Sequence, residues 1–139
     1  MDGMEAAKMT GKRKSTGRRT QRQLIGLAAE NIATDFLRAK GLEILERNYL
    51  RRLGELDIVA RERDVLVIAE VRTRATARYG GAAASVDPRK RQRLIRAASQ
   101  LLQQRKDLSR LRVRFDVIAV SDINGECGRV EWIRHAFLT

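Results

Sequence analysis

The stretch GELDIVARERDVLVIAEVRTR, Gly54 to Arg74, decides the fold, because it sets charged residues inside a segment that otherwise reads as a buried β-hairpin. Two runs rich in Val, Ile and Leu, Leu56 to Ala60 and Val65 to Val71, flank the polar tetrad Arg61, Glu62, Arg63 and Asp64, which is the pattern of two antiparallel strands and a short loop. Strand side chains alternate between faces. Glu55, Asp57 and Val59 therefore share one face of the first strand, and Leu66, Ile68, Glu70 and Arg72 share one face of the second. A turn centred on Glu62 and Arg63 sets Asp57 opposite Ile68, Glu55 opposite Glu70 and Leu53 opposite Arg72, with all four charged groups on one side of the hairpin.

Like charges facing one another destabilise a sheet, and an unpaired buried carboxylate costs several kcal/mol, roughly, even after relaxation. A positive charge must sit among them. In one reading Arg72 supplies it, paired with Glu70 or Glu55 in a structural salt bridge. In the other, Asp57 and Glu70 hold a divalent cation, Mg²⁺ or Mn²⁺, since hard carboxylate oxygens suit these ions and leave other positions to water and phosphate. Parity is compatible with both.

With 139 residues and 43% hydrophobic content, the chain is the size of one domain with one real core. A net charge of +12 points to a polyanionic partner, nucleic acid ahead of an anionic membrane. No apolar run approaches the roughly 20 residues that span a bilayer, and the first residues lack the apolar core of a signal peptide, so a cytoplasmic location is expected. Cys127 stands alone without metal-ligand spacing and reads as a turn residue; His135, the one histidine, reads as a surface or packing residue. Aromatic content of 4% gives little support to single-strand binding by base stacking.

Residues 1–22 carry seven Lys or Arg and no hydrophobic periodicity, so a disordered basic arm is expected there, ahead of a domain from residue 23 to residue 139. Such an arm either adds salt-dependent phosphate attraction or is a dispensable extension. Periodicity predicts a first helix from about Gln23 to Lys40, stopped by Gly41, with Glu30 at the margin of its apolar face. Leu42 to Leu50 reads as a strand entering the hairpin. After Arg74 comes a loop containing Gly80 and Gly81, either a flexible connection or a closure over substrate. Asp87 and Pro88 make a helix start, cap followed by first-turn proline. That second helix should reach about Lys106. Between Arg89 and Arg114 there are ten Lys or Arg against one acid, so Lys90, Arg93 and Arg96 are the expected nucleic-acid-binding residues. Val113 to Val120 and Arg129 to about His135 complete the strands.

This order, with an Asp on the second strand and Glu-x-Arg on the third, resembles the restriction-endonuclease-like fold of the PD-(D/E)xK nucleases, an α/β mixed sheet flanked by helices. More closely, the chain resembles the YraN family of uncharacterised bacterial proteins, through Ala29–Glu30, Arg47–Asn48, GELDIVA from Gly54, EVRTR from Glu70, YGGAAASV from Tyr79, Lys90, RFDVIAV from Arg114 and WIRHAF from Trp132. The resemblance implies a catalytic constellation of Glu30, Asp57, Glu70 and Arg72. Asp57 and Glu70 would be metal ligands, joined by the carbonyl of Val71, with Glu55 in support. Arg72 falls where the nucleases carry a catalytic lysine. Arginine stays protonated, so it cannot be a general base, though it can neutralise a phosphate or orient water. The implied function is a metal-dependent nuclease acting on or binding DNA, ahead of RNA, including branched or structured DNA. Two alternatives are a non-catalytic nucleic-acid-binding module with a degenerate nuclease site and an adaptor for an acidic partner.

Overall fold

The computed structural model describes residues 20–51, 54–74, 86–121 and 128–137. Nearly all of the expected basic arm, the Gly80–Gly81 loop and Cys127 lie outside the described residues.

The first helix, α1, spans Gln21–Ala39. It starts two residues before the apolar periodicity predicts, because Thr20 forms a capping box: its Oγ1 accepts from the Gln23 amide at 3.1 Å, while Gln23 Oε1 accepts from the Thr20 amide at 2.9 Å. At the other end Gly41 adopts φ 95°, and the Leu42 amide donates to the Leu37 carbonyl at 3.0 Å, closing the helix as expected. Three strands follow: β1 (Glu43–Arg51), β2 (Gly54–Glu62) and β3 (Val65–Arg74). Helix α2 spans Pro88–Gln104, and Asp87 Oδ1 caps it by accepting from the Arg89 amide at 2.8 Å. A 3₁₀ turn, Lys106–Leu108, leads to β4 (Arg112–Ser121) and then β5 (Arg129–Phe137). The order is helix, three strands, helix, two strands, as the sequence pattern predicts.

All five strands form one mixed sheet in chain order. β3 and β4 pair in parallel through ten residue pairs, Val65–Arg112 to Arg74–Ser121, with α2 as the crossover; the other pairings are antiparallel. Alternation along β3 sends its side chains to two cores. Leu66 and Ile68 pack with Leu94, Ala97 and Leu101 of α2. Val67 and Ala69 pack with Ala29, Ala33 and Leu37 of α1. With a helix on each face, the central strand must be apolar on both sides, which explains the unbroken run Val65–Ala69.

The hairpin register differs from the expected one. Glu62 pairs with Val65, Arg61 with Leu66 and Val59 with Ile68, so the turn is Arg63–Asp64 and Ile68 faces Val59 rather than Asp57. Arg63 takes φ 56°, the left-handed conformation of a tight two-residue turn. The shift is two residues, so along the paired stretch Ile58–Glu62 every side chain keeps its expected face.

The edge of the sheet is held by a buried acid. Asp116 on β4 is 1% exposed, and Arg114, two residues earlier on the same face, grips both its oxygens at 2.9 Å. Trp132 Nε1 donates to Oδ2 at 2.8 Å, and Trp132 in turn packs edge-on against Phe36 of α1. Opposite Asp116, β5 bulges between Phe137 and Ile133, with His135 at φ 55°. The His135 amide, displaced from the ladder, donates instead to Asp116 Oδ1 at 2.9 Å. Removing this carboxylate leaves the bulge amide and the Trp132 indole N–H without their acceptor and Arg114 with Glu62 alone, at 3.1 Å. Asp116→Ala should lower the unfolding free energy by about 3 kcal/mol or more, read as a fall in urea midpoint; an unchanged midpoint would show the network to be inert.

Candidate active site

The β2–β3 ladder runs from Glu62–Val65 to Ile58–Ala69. One step further in this register Asp57 faces Glu70, and here the two strands part. The next amide of β3, Val71 N–H, donates at 2.9 Å to Asp57 Oδ2 rather than to a backbone carbonyl. The carboxylate thus wedges between the strands. Alternation along β2 breaks at the same place: Leu56 and Val59 both join the core under α2, whereas Ile58 lies in the core under α1. On β1 the matching break is at Asn48, φ 53°, a conformation that asparagine tolerates better than most residues.

Glu70, 9% exposed, shares the α2 face of β3 with Leu66 and Ile68. The cation beside it is Lys90, from the first turn of α2, with Nζ 3.4 Å from Glu70 Oε2. Among the described residues Glu70 Oε1 is buried and receives no N–H, and the Asp57 carboxyl, while it keeps its proton, shares a side-chain hydrogen bond with Glu70. Burial, and next the negative charge of Glu70, push the Asp57 carboxyl up to about 8, although the Val71 amide and Lys90 pull the other way. Once both are ionised, half-buried Asp57 and buried Glu70 share a single cation among the described residues, a donor set short of positive charge. An oxygen-seeking divalent cation fits that deficit. Among the described residues, no third His, Cys, Asp or Glu converges with them.

Of the expected residues, Asp57 and Glu70 come together, and Lys90, expected to track phosphate, joins them. Arg72 is half-buried and makes no ion pair among the described residues, so the salt bridge to Glu70 or Glu55 is absent there. Glu55 is exposed. Glu30 is buried at 8% exposure rather than sitting on a rim. Its Oε1 accepts from Arg47 Nη2 at 2.9 Å and from Asn48 Nδ2 at 2.7 Å, while Arg47 also reaches Asn31 Oδ1 at 2.7 Å. Asn48 lies across from Asp57 in the β1–β2 register, between the pairs Arg47–Ile58 and Tyr49–Leu56. Glu30 is therefore tied to the wall of the site through Asn48. Arg93 and Arg96 are exposed on α2 and form no ion pair among the described residues. Sequence reasoning missed the clamp of Glu30 by Arg47 and Asn48, although both pairs, Ala29–Glu30 and Arg47–Asn48, are among the residues that carry the resemblance to the YraN family.

Fold and site together define a small mixed α/β protein that keeps two acids and a lysine at the parting of two strands. The chain belongs to the uncharacterised protein family UPF0102, whose model matches residues 29–120, a span that includes Glu30, Asp57, Glu70 and Lys90. A UPF0102 protein of Pseudomonas savastanoi pv. phaseolicola is 43% identical over 119 residues, covering 86% of this chain and 97% of its own length. UPF0102 proteins of Alkalilimnicola ehrlichii and Methylococcus capsulatus are 44% and 45% identical, over 81% and 84% of this chain and 85% and 93% of their own lengths. The resemblance to the YraN family is thereby a family membership.

The raised Asp57 pKa has a consequence for stability. An unfolded chain releases this proton near 3.8, whereas the native protein keeps it up to about 8, so between these values the native state binds the extra proton. The contribution of Asp57 to stability should therefore be greatest at acid pH and fall by about 1.4 kcal/mol per unit across that window in the presence of a chelator. In Asp57→Asn this component of the slope should vanish, which urea unfolding at pH 5 and pH 7.5 would reveal; equal slopes in the two proteins would contradict the assignment.

Proposed function

We propose that this protein is a metal-dependent nuclease of the restriction-endonuclease-like class, acting on DNA in the cytoplasm, with branched or structured DNA among its substrates. The observation that carries the reading is the pair of half-buried Asp57 and buried Glu70, side by side, with Glu70 Oε1 receiving no N–H among the described residues. Asp57 and Glu70 would hold Mg²⁺ or Mn²⁺, and the ion, when bound, supplies the charge that activates water and neutralises a phosphodiester under attack. The Val71 amide holds the Asp57 carboxylate in place at 2.9 Å. Arg72, two residues beyond Glu70 on the same face of β3, can meet a phosphate oxygen, and its permanent charge confines it to that electrostatic role. Glu30 supports the site by fixing Arg47 and Asn48 along β1. The exposed Arg93 and Arg96 offer charge to the duplex backbone on either side.

Cleavage of linear, flapped and four-way DNA with Mg²⁺ or Mn²⁺ tests this reading. The wild type should cut at least one of the panel, and Asp57→Asn should lose at least about 100-fold of that rate, the scale on which a removed charge-stabilising group is felt. Salt-sensitive binding without cleavage and without Mn²⁺ uptake would make the protein a non-catalytic binding module instead. Either way, Arg93→Gln with Arg96→Gln should weaken duplex binding and lower the slope of log affinity against log salt by about 2, one for each phosphate no longer neutralised. An unchanged slope would remove α2 from the interface.

A further inference from the structure

We propose that Lys90 is the phosphate-positioning residue of this site, delivered by helix α2 instead of the strand, and that in the ligand-free protein its ammonium takes the divalent cation's place on Glu70. The inference rests on the nuclease reading and deepens it.

The residue at the strand position, Arg72, makes no ion pair among the described residues, whereas Lys90 Nζ lies 3.4 Å from Glu70 Oε2. Lys90 satisfies only half of that carboxylate. Among the described residues Oε1 remains buried without an N–H donor, and Asp57 beside it makes no ion pair with the ammonium. A cation bridging the two acids would neutralise both, and it would compete with Lys90 for Glu70. The displaced side chain has somewhere to go. It is 34% exposed against 11% for Glu70, and its flexible four-carbon stem is rooted in the first turn of α2, at the mouth of the site. An ammonium released there meets the next available anion, the phosphate that accompanies the metal. Lys90 therefore opposes the metal alone and favours metal and phosphate together. Linkage makes this reciprocal: DNA must tighten metal binding by the factor by which metal tightens DNA binding.

The test is calorimetric titration of Mn²⁺ into the wild type, Lys90→Gln, Lys90→Arg and Asp57→Asn, each alone and with a non-cleavable phosphorothioate duplex, with melting temperatures recorded. Lys90→Gln should bind Mn²⁺ alone more tightly than the wild type, up to about 5-fold, the range expected for removing a half-exposed ion pair. The same variant should lose the DNA-induced gain in Mn²⁺ affinity, and Lys90→Arg should recover part of it. Opposite signs with and without DNA are something a merely structural lysine cannot produce. Equal Mn²⁺ affinities in the wild type and Lys90→Gln, with Asp57→Asn binding none, would overturn the role of Lys90 and leave the nuclease reading standing. A Lys90→Gln protein weaker in every titration and much less heat-stable would also overturn it, in favour of a structural lysine. No Mn²⁺ uptake by any of the four, with or without DNA, would bring down both.

Discussion

The structure turns on one electrostatic constraint: two carboxyl groups, the half-buried Asp57 and the buried Glu70, lie next to each other where β2 and β3 separate. Such a pair is costly in any fold, because burial and mutual repulsion both disfavour charge. The fold tolerates it by three local devices. Asp57 keeps its proton to an unusually high pH, takes the Val71 amide in place of a ladder carbonyl, and leaves Glu70 to a lysine from the facing helix. Once Asp57 gives up its proton, Lys90 alone cannot balance both acids, and that deficit is what gives the site a use.

The rest of the sheet is arranged so that this parting is possible. β2 is held on its other side by β1, and β3 by ten parallel pairs with β4, so the two strands can separate locally without fraying. The outer strand β5 is anchored in turn by Asp116, whose oxygens take a guanidinium, an indole and a displaced amide. Asp116 shows the opposite solution to the same problem. It is even more buried than Glu70, but both its oxygens have donors, so it stabilises the sheet edge and leaves neither oxygen for chemistry. Buried acids with complete partners build structure, and those with incomplete partners are candidates for function.

Much of this is legible in the sequence. Alternation places Asp57 and Glu70 on one side of the hairpin, and that placement survives the difference in register because a slip of two residues preserves parity. The slip arises because the tetrad Arg61–Asp64 contains no glycine or asparagine to mark the turn, and the left-handed residue is Arg63. Gly41 and the Asp87–Pro88 pair locate helix ends by mechanisms that are local. Thr20 escapes the periodicity because its capping partner is Gln23, ahead of the first apolar repeat. Glu30 projects to the edge of the apolar stripe; only the crossing of α1 over β1 shows that Arg47 and Asn48 wait beneath it.

Periodicity and composition are enough for the element order, the faces of β3, the strongly basic second helix and the presence of acids inside an apolar hairpin, but not for the break in alternation along β2, where Leu56 and Val59 join one core. Only the tertiary structure decided which cation meets Glu70. Arg72 is its neighbour in sequence and on the same face, but Lys90 makes the contact, because the position of α2 over the sheet is set by the packing of Leu94, Ala97 and Leu101 against Leu66 and Ile68. Contact between distant segments depends on that docking, and no local pattern in either segment encodes it.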